Sequence, residues 1–328
     1  MDNKEFLSVK NLVVEYTQGK DTIHAVNGVS FDIEKGKTLG LVGETGAGKT
    51  SIAKAILQIL PDVGAYIRSG EVLLEGTDLL KLPEPEMQHI RGNRIAMIFQ
   101  DPMTALNPLM TVGTQITEAL ELHHPEWNSL QVQEEAVRML EMVGIPGERY
   151  GEYPYQFSGG MKQRVVIAMA LSCNPELLLA DEPTTALDVT IQAQVLRLIK
   201  DLREKLGTSM ILITHDLGVV AEMCDEVATV YSGRIVEKGT IMDVYLKPAH
   251  PYTEGLFGAL PVMNEDCERL TPIPGAMPDP AAIPVGCPFA PRCQYATERC
   301  REACPELREI TRGHYVACHE NIGGTSHA

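Results

Sequence analysis

Residues 43–50 read Gly-Glu-Thr-Gly-Ala-Gly-Lys-Thr, and no other segment indicates the fold of the chain as directly. It follows the apolar run 38–42, which reads as a strand, and precedes residues 51–60, which read as a helix that ends at Pro61. Glycines let backbone N–H groups close around phosphate oxygens, and a helix N-terminus adds its dipole to the same anion site. The pattern in this context therefore predicts a phosphate-binding loop, or P-loop.

The residue types within this loop indicate how a nucleotide would be held. Lys49 would hold the β- and γ-phosphates, Thr50 would offer its hydroxyl to Mg²⁺, and Ser51 could reach the α-phosphate. The residues predicted to bind ATP here are Gly43, Gly46, Ala47, Gly48, Lys49, Thr50 and Ser51. A glycine-rich strand-to-helix turn with no ligand is the alternative interpretation.

The rest of the first 250 residues fits an α/β protein. Residues 6–33 alternate apolar and polar positions over short spans, which is typical of half-buried antiparallel strands. Apolar runs at 95–99, 177–180 and 210–213 read as buried parallel strands of a doubly wound core. Between 104 and 171 the strand signal fades and a helical stripe is formed by Ala136, Val137, Leu140 and Val143, so we expect a helical insertion.

The predicted strand 177–180 ends in two carboxylates, Asp181 and Glu182. Acidic groups at the carboxyl edge of a parallel sheet lie where phosphates bind. Asp181 can support Mg²⁺, and Glu182 can polarise the water that attacks the γ-phosphate. A solvated turn is the alternative interpretation of such a pair taken alone.

Composition limits the possible partners and location. The chain has 328 residues, 44% of them hydrophobic, and a formal net charge of −16. A strongly acidic chain is a poor partner for nucleic acid, which needs clustered Lys and Arg. Residues 1–15 lack the apolar core of a signal peptide, and charge, Gly, Pro or Asn breaks each apolar stretch before the length that a membrane-spanning helix needs.

A set of motifs carries a resemblance to the ATPases of ABC transporters. In family order they are Gln100 after a strand, Phe157-Ser-Gly-Gly-Met-Lys-Gln163, Asp181-Glu182, Ala186-Leu-Asp188 and His215. The resemblance covers nearly all of the first 250 residues, and the Ser158-Gly-Gly signature is its most specific element. It departs from the family at Phe157, where Leu is commoner, and at Met161, where Gln is usual. A Ser-capped helix start would explain Ser158 alone, but not the whole set.

The resemblance implies a P-loop NTPase (RecA-like) core with an antiparallel β subdomain and a helical subdomain at about 104–171. It also implies a head-to-tail dimer in which the P-loop of one subunit and Ser158, Gly159 and Gly160 of the other enclose one ATP. Further roles follow from the family pattern. Gln100 would sense Mg²⁺ and the attacking water, His215 would contact the γ-phosphate, Asp188 would couple the two sites, and Tyr16 would stack on adenine.

The C-terminal part is rich in proline and then in cysteine. Residues 251–286 read as a Pro-rich linker, and 287–328 hold five of the eight cysteines. Clustered cysteines in a chain expected to be cytosolic indicate a metal centre, with a disulfide framework as the competing interpretation. We expect an ABC ATPase domain at 1–250, this linker, and a small Cys-rich metal-cluster domain.

Two tail segments, His250-Pro-Tyr-Thr-Glu254 and Gly286-Cys-Pro-Phe-Ala-Pro-Arg-Cys293, resemble the ATPases of bacterial di- and oligopeptide importers. This implies a peripheral subunit at the cytoplasmic face of the cell membrane. Its expected partners are a second ABC ATPase in a homo- or heterodimer, two transmembrane permeases and, indirectly, an extracytoplasmic solute-binding protein. Importers of nickel and other small solutes share this tail, and a non-transport ABC ATPase is the remaining alternative.

The same resemblance implies a [4Fe–4S] cluster on Cys287, Cys293, Cys300 and Cys318, since four thiolates are the usual complement. Cys304 could replace Cys318. Structural Zn²⁺ is the rival, with His314 or His319 as a further donor, although the gaps between cysteines lack the short knuckle typical of zinc sites. The cluster could be structural or a redox sensor that gates the ATPase.

Overall fold

The structure is a computed structural model that describes residues 5–185, 187–258 and 273–320. It divides into two compact units. The first comprises Met1–Ile33, Leu39–Leu80 and Thr214–Ala328, and the second comprises Glu34–Thr38 and Lys81–Ile213. Part of the predicted linker, residues 259–272 with Cys267, lies outside the described residues.

The strands and helices have the following bounds. The strands are β1 Glu5–Gln18, β2 Asp21–Glu34, β3 Thr38–Val42, β4 Ala65–Leu74, β5 Thr77–Asp78, β6 Ile95–Ile98, β7 Leu177–Asp181, β8 Ser209–Ile213, β9 Glu226–Tyr231, β10 Arg234–Thr240, β11 Arg308–Thr311 and β12 His314–Val316. The helices are α1 Lys49–Ile56, α2 Glu84–Ile90, α3 Pro102–Ala105, α4 Val112–His123, α5 Ser129–Met142, α6 Gly159–Leu171, α7 Val189–Leu206, α8 Leu217–Met223, α9 Ile241–Leu246, α10 Pro251–Gly258 and α11 Glu298–Glu302.

An antiparallel sheet in the first unit has the strand order β2-β1-β4-β5. The short alternating spans predicted within residues 6–33 are two long strands. The alternation is interrupted because β1 shifts register between Lys10 and Val13, next to Asn11, whose φ is 48°. Such a bulge reverses which face the following side chains occupy, so one strand resembles two in the sequence.

A second sheet in the first unit carries the phosphate loop. β3 pairs in parallel with β9, β9 pairs antiparallel with β10, and β10 pairs antiparallel with β12. Val42, Val220, Val227 and Phe257 pack in the core on this sheet. β12 comes from the cysteine-rich tail, so the described tail contributes a strand to this unit.

The second unit holds parallel strands and the helical region. β6 pairs with β7 and β7 with β8, all parallel, as the buried apolar runs predict. The expected insertion is helical, and α5 buries Ala136 and Leu140 of the predicted stripe. Among the described residues, no helix combines the length and apolar character needed to cross a membrane.

One helix boundary differs from its prediction. α1 ends at Ile56 and not at Pro61, because Gln58 adopts a φ of 51° and Ile59 N–H donates back to the Lys54 carbonyl. A left-handed residue closes a helix end by satisfying its last carbonyls. The helix therefore ends several residues before Pro61, the residue from which its end was predicted.

Candidate nucleotide-binding site

The phosphate loop runs from the end of β3 to the first turn of α1 in the first unit. Gly48 occupies the helix N-cap with a φ of 101°, and a Cβ there would lie 2.2 Å from the Ala25 carbonyl oxygen. Gly43 has a φ of 149°, and its Cβ would lie 2.2 Å from the Val230 carbonyl oxygen. Both positions therefore require glycine for space as well as for conformation.

Lys49 lies across the loop. Its Nζ donates to the carbonyl oxygens of Gly43 at 2.8 Å and Glu44 at 3.0 Å, and the residue is only 6% exposed. Ala47 is buried behind the loop and accepts a hydrogen bond from Gly233 N–H. These contacts fix a ring of backbone around the lysine ammonium group, with the N–H groups of the α1 start beside it.

Tyr16 and His215 also belong to the first unit. The Tyr16 hydroxyl on β1 donates to Ser51 Oγ at 3.1 Å, which holds its ring beside the start of α1. His215 is exposed and follows Thr214, whose N–H donates to Leu41 in β3 at 3.4 Å. Stacking of Tyr16 on adenine and contact of His215 with a γ-phosphate remain predictions.

The second unit brings Gln100, Asp181 and Glu182 to the carboxyl ends of β6 and β7. Asp181 is buried at the end of β7. Glu182 Oε2 accepts from Gln100 Nε2 at 2.9 Å and from Thr185 Oγ1 at 2.9 Å. The Glu182 backbone has a φ of 45°, an uncommon conformation for a residue other than glycine, and its N–H donates to Ile213 in β8. The carboxylate is thus oriented by two neutral donors and a constrained backbone.

The signature residues start a helix in the same unit. Ser158 is the N-cap of α6, and its Oγ accepts from Met161 N–H at 3.4 Å. A Cβ on Gly160 would lie 2.6 Å from Ile191 Cγ2 in α7, so this glycine lets α6 and α7 approach. Asp188 is the N-cap of α7 and accepts from Ile191 N–H at 3.0 Å. Phe157, one of the two departures from the family pattern, lies under the Arg149 guanidinium at 4.3 Å from the ring centroid.

The tail places the four cysteines predicted as cluster ligands around one cavity, together with His319 and other residues. Burial raises the pKa of Cys287 to about 11 and also raises those of Cys293 and Cys318. Cys304 lines a different cavity, which it shares with Cys287. His314 instead contacts buried Glu237, at 2.8 Å between Nε2 and Oε1. Throughout the described ranges, no group of three or more His, Cys, Asp or Glu side chains is arranged to hold a metal ion, so the cluster remains a prediction.

Sequence reasoning missed three residues that contact either a predicted site residue or Glu44 in the phosphate loop. Thr185 binds the Glu182 carboxylate, Tyr252 accepts the Glu44 N–H at 2.8 Å, and Arg292 contacts the Glu44 carboxylate at 3.0 Å. Thr185 could have been found from its position three residues after Glu182. The other two lie in segments noted only as subfamily markers, and nothing in the sequence relates them to Glu44.

Comparisons with known proteins agree with this geometry. The family model described as "ABC transporter" matches residues 26–185, and the model described as "Oligopeptide/dipeptide transporter, C-terminal region" matches residues 236–300. The dipeptide transport ATP-binding protein DppD of Bacillus subtilis is 50% identical over 96% of this chain and 94% of its own length. The oligopeptide transport ATP-binding protein OppD of Escherichia coli is 46% identical over 96% and 93%, respectively.

A solved structure shares the fold. The dimeric ATP-binding cassette MJ0796, bound to ADP and Pi, superposes with a TM-score of 0.64 and 27% identity, covering 72% of this chain and 98% of that chain. With relatives at 50% identity over almost the full length and a phosphate loop between a strand and a helix, this chain belongs to the ABC transporter ATP-binding proteins and is an ATP-hydrolysing subunit.

Proposed function

We propose that this chain powers the import of dipeptides and oligopeptides across the cytoplasmic membrane by hydrolysing ATP. Its relatives are named for dipeptide and oligopeptide transport, and its C-terminal region matches the model of that transporter class. The observation that carries the ATPase part is the phosphate loop with Lys49 folded across it. ATP would replace the two carbonyl oxygens as the partner of the lysine ammonium group.

Each site residue receives a role from its chemistry and contacts. Lys49 binds the β- and γ-phosphates, the N–H groups from Gly46 to Ser51 surround the phosphate oxygens, and His215 contacts the γ-phosphate. Glu182 polarises the attacking water, since its carboxylate accepts from the neutral donors Gln100 and Thr185, which orient it. Tyr16 lies against the adenine.

Thr50, Asp181 and Gln100 would hold Mg²⁺, which neutralises charge on the β- and γ-phosphates when bound. The donor set fits this ion because hydroxyl, carboxylate and amide oxygens are hard ligands. Gln100 directs its amide nitrogen at Glu182, which leaves its amide oxygen for a cation. Asp181 is buried at the end of β7, and its carboxylate is a hard oxygen ligand of the kind that Mg²⁺ prefers.

We infer that two ATPase subunits complete each other's sites. The N-terminus of α6, a 13-residue helix, is formed by Ser158, Gly159 and Gly160. A helix N-terminus of this kind can bind an anion, and the P-loop of the same chain binds phosphate without it. In a head-to-tail dimer these residues would contact the ATP bound to the partner, and Asp188 would couple the two sites. MJ0796 is dimeric, which supports such an assembly as a homodimer or with a related ATPase.

The remaining partners are two permeases that cross the membrane and a solute-binding protein outside it, with this chain on the cytoplasmic face. Large apolar side chains of the helical region support a docking role for it. Leu109 is 85% exposed and Tyr155 is 73% exposed, and such residues gain free energy when a partner covers them.

Uptake by the assembled transporter in lipid vesicles tests this function. Vesicles with the two permeases, the ATPase pair and ATP inside, and the solute-binding protein outside, should accumulate a labelled dipeptide or oligopeptide, whereas Lys49→Ala should abolish uptake. Nickel uptake without peptide uptake would assign the chain to a small-solute importer. ATP hydrolysis that neither permease stimulates would favour a role outside transport.

We also propose that Cys287, Cys293, Cys300 and Cys318 hold a [4Fe–4S] cluster in a small C-terminal domain. Their position around one cavity supports this ligand set over one that includes Cys304. Zinc through His314 is disfavoured because that ring pairs with Glu237, whereas His319 lines the cavity that holds the four cysteines. The thiols would have to lose their protons and converge when a metal binds.

Anaerobic purification followed by iron, sulfide and zinc analysis decides the metal. We expect about four iron and four sulfide per chain. A colourless protein with one zinc and no sulfide would refute the cluster. Cys304→Ser is the matched control for Cys318→Ser: iron retained in the first variant and lost in the second supports the ligand set, and the reverse overturns it.

A further inference from the structure

The phosphate loop is held by residues from the C-terminal part of the chain. Glu44, the second residue of the loop, donates its N–H to the Tyr252 hydroxyl at 2.8 Å. Its carboxylate Oε2 accepts from Arg292 Nη1 at 3.0 Å. All three residues belong to the first unit. Two C-terminal residues that lie outside the phosphate-loop motif therefore fix both the backbone and the side chain of Glu44.

Arg292 has a fixed position. Its Nε donates to Pro274 O at 2.8 Å, and its Nη1 lies 3.4 Å from the Tyr231 hydroxyl. The guanidinium also lies over the rings of Tyr231 and Phe289, at 5.8 and 5.9 Å from their centroids. With a side chain only 5% exposed, it cannot move away without breaking these contacts. Its guanidinium group is therefore held in one orientation toward the Glu44 carboxylate.

Tyr252 is equally fixed. Its ring is fully buried against Tyr231, at 4.6 Å between centroids, and against Phe289, at 5.4 Å. Its N–H donates to His250 Nδ1 at 3.1 Å, and the buried Glu237 carboxylate accepts from His250 N–H at 2.9 Å. A chain of buried contacts thus runs from β10 through the start of α10 to the phosphate loop.

The contacts of Tyr252 and Arg292 with Glu44 lie in the part of the loop that is expected to bind the phosphates of ATP. Lys49 Nζ binds the carbonyl oxygens of Gly43 and Glu44, so Tyr252 fixes the same turn of the loop that the lysine contacts. The Glu44 carboxylate would repel the phosphates of ATP, and its pairing with Arg292 offsets this repulsion. Preorganising the loop removes an ordering cost that ATP binding would otherwise carry.

We propose that Tyr252 and Arg292 are positioning residues of the nucleotide site, through which the C-terminal region sets the affinity for ATP. The proposal rests on ATP binding at residues 43–51. Tyr252 holds the Glu44 backbone in the phosphate-binding conformation, and Arg292 neutralises the Glu44 carboxylate. Both affect binding and leave the attack on the γ-phosphate to other residues.

The full-length chain tests this by calorimetric titration with ATP and by steady-state hydrolysis. Tyr252→Phe removes one oxygen and should raise the Kd for ATP about 3- to 10-fold, with kcat within about twofold of the parent. Arg292→Met should raise Kd about 10-fold or more, because a charged hydrogen bond is lost. In Glu44→Gln/Arg292→Met, removal of the carboxylate should restore Kd to within about threefold.

Controls separate this role from loss of fold. Tyr315→Phe removes a hydroxyl that hydrogen-bonds Glu309 within the β11–β12 pair of the same unit, and should leave Kd unchanged. Kd values within about twofold of the parent for both Tyr252→Phe and Arg292→Met overturn the proposal. The proposal is also overturned if adding Glu44→Gln to Arg292→Met leaves the Kd for ATP unchanged. Unchanged binding in Lys49→Ala would instead overturn the nucleotide site itself, so the two failures are distinguishable.

Discussion

Replacing Glu182 by Gln isolates the charge of the proposed water-polarising carboxylate. The Glu182 oxygen that accepts from Gln100 and Thr185 has a counterpart in Gln, whose amide oxygen also has two lone pairs. Both hydrogen bonds can therefore persist, and the free energy of unfolding should change by less than about 1 kcal/mol. The lost acceptor charge should slow hydrolysis about 10²- to 10⁴-fold, or about 3 to 5 kcal/mol in activation free energy.

The measurement pairs ATP turnover with ATP binding and thermal unfolding. Glu182→Gln should bind ATP with a Kd near that of the parent and melt within a few degrees of it, while releasing phosphate very slowly. Thr185→Val is the matched control, because it keeps the charge and removes one of the two donors that orient it. We expect it to slow turnover about 10-fold, between the parent and Glu182→Gln.

Two outcomes would refute this reasoning. Turnover in Glu182→Gln above about a tenth of the parental rate would mean that another group polarises the water. Equal loss in Thr185→Val and Glu182→Gln, with a lowered melting temperature in both, would mean that the local backbone and not the charge is essential.

Three further predictions concern the loop, the dimer and a buried histidine. Gly48→Ala should weaken ATP binding at least about 10-fold in calorimetry because of its 2.2 Å approach to Ala25 O, whereas Gly19→Ala, also at positive φ but with open space, should bind normally. Glu182→Gln should associate in light scattering when ATP and Mg²⁺ are added, and an unchanged mass would contradict the shared site. Burial lowers the pKa of His250 from 6.5 to about 3, so the unfolded chain binds the extra proton below pH 6.5 and stability is lost as pH falls. From pH 7 to 5 this should cost about 2 kcal/mol in urea unfolding, and much less in His250→Asn, which keeps a capping acceptor; equal losses would contradict it.

Local patterns predicted the core strands and the phosphate loop because their signals lie within a few neighbouring residues. The apolar runs gave β3, β6, β7 and β8 to within one residue of their ends. The signal failed where a single residue took a positive φ, at Asn11 in β1 and at Gln58 after α1. Residues other than glycine seldom adopt a positive φ, so their sequence does not indicate where this conformation will occur. It depends on contacts such as that of Gln58 with Leu79.

The site shows the same division between local and distant signals. Lys49, Glu182 and Ser158 could be singled out because each lies in a short motif with its own chemistry. Arg292 could not, since it meets Glu44 across 248 positions of the sequence and only the packing of unit 1 brings them together. A contact of this kind has no spacing rule, whereas helix and strand periods supply one for neighbours.

The cysteine-rich tail is connected to the nucleotide site through the peptide bond between Arg292 and Cys293. Arg292 directly precedes Cys293, a proposed cluster ligand, and both pack around the aromatic group of Tyr231, Tyr252 and Phe289. A metal centre that fixes Cys293 therefore also restricts Arg292 and, through Glu44, the phosphate loop. Linkage requires the coupling to be reciprocal: whatever free energy the metal adds to ATP binding, ATP adds to metal retention. Under the two proposals, a tail that has lost its metal binds ATP more weakly, and the full chain with ATP bound holds its metal more tightly.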